Sequence, residues 1–163
     1  MRHVFVLKYL VITVFLLVAT VGNGQTKVMF PEKISDKARQ YIAEYKYILV
    51  IYQDGKECIA CLHNQLKIWK KYRNHLKKYG VGVVLIFHGW REENIDRALS
   101  SHDLEFVHIV DKTGKFRTVN DKIFKLAIDS IFVVDTNKNL VFFDSPIKSE
   151  AIWNRFIKHI KNG

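Results

Sequence analysis

The sequence is poor in the residues that staple or bend a chain: two cysteines, two prolines and eight glycines among 163 residues. Two cysteines exclude the disulfide-dense scaffold that holds small secreted domains together. So little proline and glycine excludes collagen-like and low-complexity chains. No internal repeat or linker follows Gln25, and no phosphate loop, nucleophile–His–acid set or paired-carboxylate arrangement stands out. What is present is 48% hydrophobic, 13% aromatic and 26% charged. That is enough apolar material for a packed core and too much for disorder. The length suits one domain and a targeting segment.

The charge is one-sided, a formal +10 from 26 Lys and Arg against 16 Asp and Glu. Such an excess suits nucleic acid, an anionic membrane surface or acidic partners. It equally suits a solvated surface that keeps a protein soluble, and that reading is preferred. Lys67, Lys70, Lys71, Arg73, Lys77 and Lys78 concentrate part of it on one predicted helix.

The first 24 residues have the pattern of an export signal. Arg2 and Lys8 precede an uncharged apolar stretch, Tyr9 to Val21, and Gly22 and Gly24 supply small residues before a cut. Cleavage after Gly24 gives a mature chain starting at Gln25, so residues 1–24 are expected as signal peptide and 25–163 as the domain. The alternative is an uncleaved membrane anchor over residues 9–21, although the apolar part is short for a span. No cysteine follows the run to take a lipid. Either way the folded part is expected outside the cytoplasm, the periplasm in a Gram-negative cell, where disulfides persist and nucleic acid is scarce.

Periodicity in the mature chain alternates between strand and helix. Ser35 and Asp36 can cap a helix burying Ala38, Tyr41, Ile42 and Tyr45. Tyr47 to Tyr52 is a continuous β-branched and apolar run, which suits a strand buried on both faces. From Cys58 apolar residues recur at three and four: Ile59, Leu62, Leu66, Trp69, Tyr72, Leu76 and Tyr79. That spacing predicts a helix of about six turns ending near Gly80. Val81 to His88 reads as a second buried strand, Arg91 to Ser101 as a helix, and Phe106 to Val110 as a third strand. Asp111 to Asp129 reads as a loop with a short helix around Phe116 to Phe124. Ser130 to Asp135 and Leu140 to Phe143 flank a hairpin signal. Glu150 to Lys161 closes the chain as a helix burying Ile152, Trp153, Phe156, Ile157 and Ile160. The order implies an α/β domain with a mixed sheet covered on both faces. Active sites in such sheets lie at the carboxyl ends of parallel strands, and Cys58 follows the first strand there.

Cys58-Ile59-Ala60-Cys61 is the strongest chemical motif. Two cysteines three apart in the first turn of a helix can bring their sulfurs within bonding distance. The helix N-terminus, with its unpaired N–H groups, favours thiolate at the first cysteine; Lys56 helps and Glu57 opposes. The outer thiolate can attack a disulfide, and the inner thiol can resolve the product.

With this motif the chain resembles the thioredoxin superfamily, in particular the exported thioredoxin-like and redoxin-like proteins of the Bacteroidota. The resemblance rests on ILVIYQDGKECIACL at 48–62, Trp69, SIFVVDTNKNLVFF at 130–143 and DSPIKSEAIW at 144–153, and spans roughly residues 33 to 162. It implies a thioredoxin-like three-layer α/β/α sandwich, with Cys58 as nucleophile and Cys61 as resolving cysteine of a redox-active disulfide. Three positions depart from the family pattern. Glu57 stands where a tryptophan usually precedes the first cysteine. Tyr52 stands six residues before Cys58, where thioredoxin has a buried aspartate. Ile128-Asp129 stands where the family has a cis-proline, so a trans loop is expected.

Three functions follow as expectations. The first is a thiol–disulfide oxidoreductase outside the cytoplasm, needing no cofactor. Its partners would be protein thiols and disulfides and a redox partner protein, and it would act as a monomer. The second is a non-catalytic thioredoxin-like binding module with a structural Cys58–Cys61 bridge. The third is copper or zinc handling by Cys58, Cys61 and His63, although His63 reads better as a solvated helix residue. Trp69 and Trp153 read as core, and Trp90 as a residue able to overhang the cysteines.

Overall fold

The computed structural model describes residues 26–31, 34–56, 58–101, 106–127 and 130–163. The expected signal peptide or anchor, Glu57, His102 and the Ile128-Asp129 loop lie outside the described residues.

The order of elements is α1 (Asp36–Glu44), β1 (Tyr47–Asp54), α2 (Ile59–Lys78), β2 (Val81–His88), α3 (Glu92–Ser100), β3 (Val107–Val110), α4 (Lys115–Val119), α5 (Asp121–Leu126), β4 (Ile131–Asp135), β5 (Leu140–Phe142) and α6 (Glu150–Asn162). The strands form one sheet in the order β3-β2-β1-β4-β5. β1, β2 and β3 run parallel, and β4 and β5 are antiparallel additions. The mixed sheet expected from the alternating pattern is therefore present, with helices on both faces.

Alternation along the strands sorts the core into two layers. Leu49 and Ile51 of β1 pack with Leu62, Leu66, Trp69 and Leu76 of α2, with α3, and with Phe156 and Ile160 of α6. Ile48, Val50 and Tyr52 pack on the opposite side with Ala38 of α1, Phe116 of α4 and Ile123 of α5. Burying each large aliphatic side chain of the α2 stripe contributes about 1.5–3 kcal/mol of transfer free energy, so packing outweighs propensity in fixing the helix.

Local signals end the helices as the residues require. Ser35 caps α1 by accepting the Ala38 amide at 3.2 Å, and Ser149 caps α6 by accepting that of Ile152 at 3.3 Å. α2 ends at Gly80, which takes the left-handed conformation with φ +71°. The single short helix expected around Phe116 to Phe124 is instead two, α4 and α5, broken at Asn120. Asn120 is buried, and its side chain donates to the carbonyls of Phe116 at 2.8 Å and Met29 at 2.9 Å while accepting the Met29 amide at 2.8 Å. An asparagine whose side chain is taken up by the backbone of Phe116 and of the distant Met29 in this way interrupts a helix.

One residue of the predicted apolar stripe is misplaced. Ile59 is 40% exposed and lies with Ala60 and Cys61 in a first turn that is wholly at the surface; burial begins at Leu62. The other expected stripe residues are buried or packed against the core. No helix among the described residues is long and apolar enough to cross a membrane.

Candidate active site

The carboxyl ends of β1 and β2 are held in register, Asp54 opposite His88. Just beyond β1, the Gly55 amide donates to the His88 carbonyl at 2.7 Å. The chain then reaches Cys58, which is the N-cap residue of α2, with an extended backbone (φ −74°, ψ 144°). Its carbonyl accepts the Cys61 amide at 3.0 Å and the Leu62 amide at 3.1 Å. Its sulfur is placed as a capping serine oxygen would be, accepting the Cys61 N–H at 3.1 Å. Cys58 and Cys61 are joined, Sγ to Sγ at 2.12 Å.

Both cysteines are exposed. The first turn of α2 is exposed throughout, so Cys61, one turn in, also lies at the surface. Exposed apolar groups lie along the same helix, Ile59 and, 45% exposed, Ile68.

Tyr52, six residues before Cys58, faces the layer away from α2. Its ring lies 4.9 Å from that of Phe124 and 6.0 Å from that of Phe116, centroid to centroid. It is 3% exposed, and its hydroxyl is buried without a hydrogen-bond partner. Burial pushes its pKa up to about 12, with the nearby Asp111 and Asp54 carboxylates adding to the shift and Arg117 opposing it. The polar side chain that does face α2 from the end of β1 is Gln53, which the sequence reading passed over. Gln53 is buried, and its Nε2 donates to Gln65 Oε1 at 2.8 Å, while its own Oε1 lacks a partner. The signal for it was available: one residue past the apolar run, position 53 shares a strand face with Leu49 and Ile51.

The remaining candidates separate. Trp69 is buried in the core as expected, and Trp153 packs against the same layer. Trp90 packs edge-on against Phe87, 6.5 Å between centroids. His63 lies beside Ser101, Nδ1 to Oγ 3.4 Å. Among the described residues no group of three His, Cys, Asp or Glu side chains is placed to hold a metal ion.

No family model and no curated protein matches the chain. Solved structures do match. The thioredoxin domain of a thiol-disulfide oxidoreductase from Bacteroides vulgatus superposes with a TM-score of 0.58 at 17% identity, covering 83% of this chain and 96% of that one. An uncharacterized thioredoxin-like protein from Porphyromonas gingivalis gives 0.51 at 18% identity, covering 72% of this chain and 74% of that one. With these likenesses and the strand order above, the thioredoxin fold of the chain is shown.

Proposed function

We propose that this thioredoxin-fold chain is a thiol–disulfide oxidoreductase acting through Cys58 and Cys61. The observation that carries the reading is the exposed Cys58 sulfur at the N-terminus of a 20-residue helix, accepting the Cys61 amide. Both that hydrogen bond and the helix dipole favour negative charge on this sulfur once the pair is reduced.

In the reducing direction the Cys58 thiolate attacks one sulfur of a substrate disulfide. That S–S bond breaks, and the other substrate sulfur leaves as a thiolate and takes up a proton. Cys61 loses its proton and attacks Cys58, forming the Cys58–Cys61 bond and releasing the second substrate thiol. Two electrons pass from the protein dithiol to the substrate. Run backwards, the same steps oxidise a substrate dithiol. Ile59, next to Cys58 in the chain, supplies exposed apolar surface for a substrate chain.

Residues 1–24 fit an export signal, and the site is read as working outside the cytoplasm, where a disulfide partner is available. Expression of the full chain in a Gram-negative host tests this: a periplasmic product with Gln25 as its first residue is expected, and a cytoplasmic product starting at Met1 removes the assignment.

A second reading has one specific support: Tyr52 stands six residues before Cys58 in place of a proton-transferring aspartate, and the neighbouring side chain that faces α2, Gln53, is an amide. In that reading the Cys58–Cys61 bridge is structural. The reduction potential separates the two. A working pair lies between about −120 and −270 mV, whereas a structural disulfide lies below about −300 mV. A potential in the upper range, with turnover of a model disulfide that Cys58→Ser abolishes, is the expected result. A potential below the structural limit, with no turnover, refutes the oxidoreductase.

A further inference from the structure

Cys61 heads a stripe along α2. At 3.6 residues per turn, Cys61, Gln65, Ile68, Tyr72 and His75 fall within an arc of about 80°. From Gln65 onward this stripe is one wall of two adjoining cavities, of about 500 and 520 Å³, which share Ile147. The opposite wall is the segment 145–149 and the start of α6. At a rise of about 1.5 Å per residue, the groove so formed runs from about 6 Å to about 21 Å beyond Cys61 along the helix. Exchange between the two sulfurs, as described, uses none of these residues.

The walls are fixed before any ligand arrives. The Lys148 amide donates to the Ser145 carbonyl at 3.1 Å, Ser149 caps α6, and Pro146 is buried. Tyr72 and Trp153, 5.7 Å apart between ring centroids, join the α2 wall to the α6 wall. Gln65 is turned toward the sheet, where it accepts from Gln53 Nε2 at 2.8 Å. What the groove offers is apolar: Ile68 is 45% exposed, and Tyr72, Ile147 and Trp153 are only partly buried against the core. Charges of both signs line it, Lys71 and Lys148 with Glu150, so recognition falls to apolar contact.

We propose that this groove receives an extended segment of a protein substrate and takes a bulky apolar side chain about four residues from the substrate cysteine. Continuity and length argue for this occupant. The groove continues the helix face of Cys61, whose Cα lies 5.2 Å from that of Cys58. Ile68 stands about 10 Å along the helix from Cys61, the length of about three extended residues, and the step from Cys58 to Cys61 adds one or two more. The groove itself, about 15 Å long, holds four or five extended residues, a length that no small-molecule disulfide fills. The inference rests on the oxidoreductase reading and names the feature of a substrate chain that the protein selects.

The test uses the oxidised protein and three end-blocked dodecapeptides with serine at the cysteine position. One carries Phe four residues before that position, one carries Phe four residues after it, and the control has serine at both. Burial of the phenyl ring predicts that one Phe peptide binds about tenfold tighter than the control, with a shift of the Trp153 indole resonance. Ile68→Ser, at an exposed position, and independently Ile147→Ser should each remove most of that preference. Equal binding of the three peptides, or a preference that both variants leave intact, overturns the groove. Self-association that Ile147→Ser abolishes, with no peptide preference, gives the groove to a second copy of the chain and equally overturns the proposal. The same peptides with cysteine, presented as mixed disulfides, then measure exchange. Exchange at equal rates, together with equal binding, leaves the oxidoreductase standing without this specificity. Phe-selective binding without any exchange supports the groove and removes the oxidoreductase.

Discussion

The amide of Cys61 points at the sulfur of Cys58 across 3.1 Å, so the first cysteine of the motif caps the helix by accepting the backbone N–H of the second. The relationship is unequal, because Cys61 lies inside the first turn and Cys58 ahead of it. The dipole effect fades within that turn. In the reduced protein at neutral pH an alkylating reagent should therefore label Cys58 first, as mass mapping of a short reaction can read. Cys58→Ser should abolish exchange, and Cys61→Ser should trap a mixed disulfide with the substrate, because nothing remains to resolve it. Preferential labelling of Cys61 would reverse the roles.

Gly55 and Gly89 meet backbone to backbone. A β-carbon on Gly55 would stand 2.4 Å from the carbonyl carbon and oxygen of Gly89, atoms that cannot rotate aside. Gly55→Ala should therefore force apart the loop leading to Cys58, at a cost of about 1–3 kcal/mol in urea unfolding. Any surviving folded protein should show altered exchange kinetics. An unchanged unfolding midpoint contradicts the close approach.

Tyr41, half-buried, and Tyr52, buried, make opposite predictions. Tyr41 accepts the Val83 amide at 3.2 Å, so Tyr41→Phe leaves a buried donor unpaired and should cost about 1–3 kcal/mol. The Tyr52 hydroxyl has no partner, so Tyr52→Phe should be neutral or stabilising. Equal losses from the two would refute the assignment.

The same Tyr52 sets an alkaline limit. The folded group holds its proton to about 12, while the unfolded one releases it near the ordinary value of 10.0. Below the unfolded value both states carry the proton, and stability is unaffected. Between the two values the unfolded state sheds it first, so stability falls as pH rises. Unfolding curves should show a shallower decline over that window in Tyr52→Phe than in the wild type. Parallel declines would mean that the phenol ionises normally in the fold.

Asn120→Ala removes three hydrogen bonds, two that tie Met29 in the segment before α1 to the junction of α4 and α5 and one to the Phe116 carbonyl. The expected loss is about 1–3 kcal/mol, since the Met29 amide and carbonyl lose their side-chain partner. Hydrogen exchange at residues 28 to 30 should quicken more than in the sheet. Uniform quickening would point to global destabilisation instead.

Much of the fold and part of the site were legible in the residues alone. β2 was readable to its ends, and β1 fell short only at its carboxyl end, because uninterrupted β-branched runs bounded by turn residues admit little else. The placement of Cys58 at the start of a helix followed from the change of period at that residue, a local signal. These features depend on neighbours within a turn or a strand. The direction of Tyr52, the exposure of Ile59 and the break at Asn120 depend on what the sheet and the distant Met29 backbone place against them. Lys56, His88 and Arg117 line one cleft at the carboxyl ends of β1 and β2 although they come from three segments far apart in the chain, and no spacing along the sequence brings them together. Local periodicity determined which elements form; parallel pairing of β1 with β2 and the packing of α4 against β1 decided which side chains share a site.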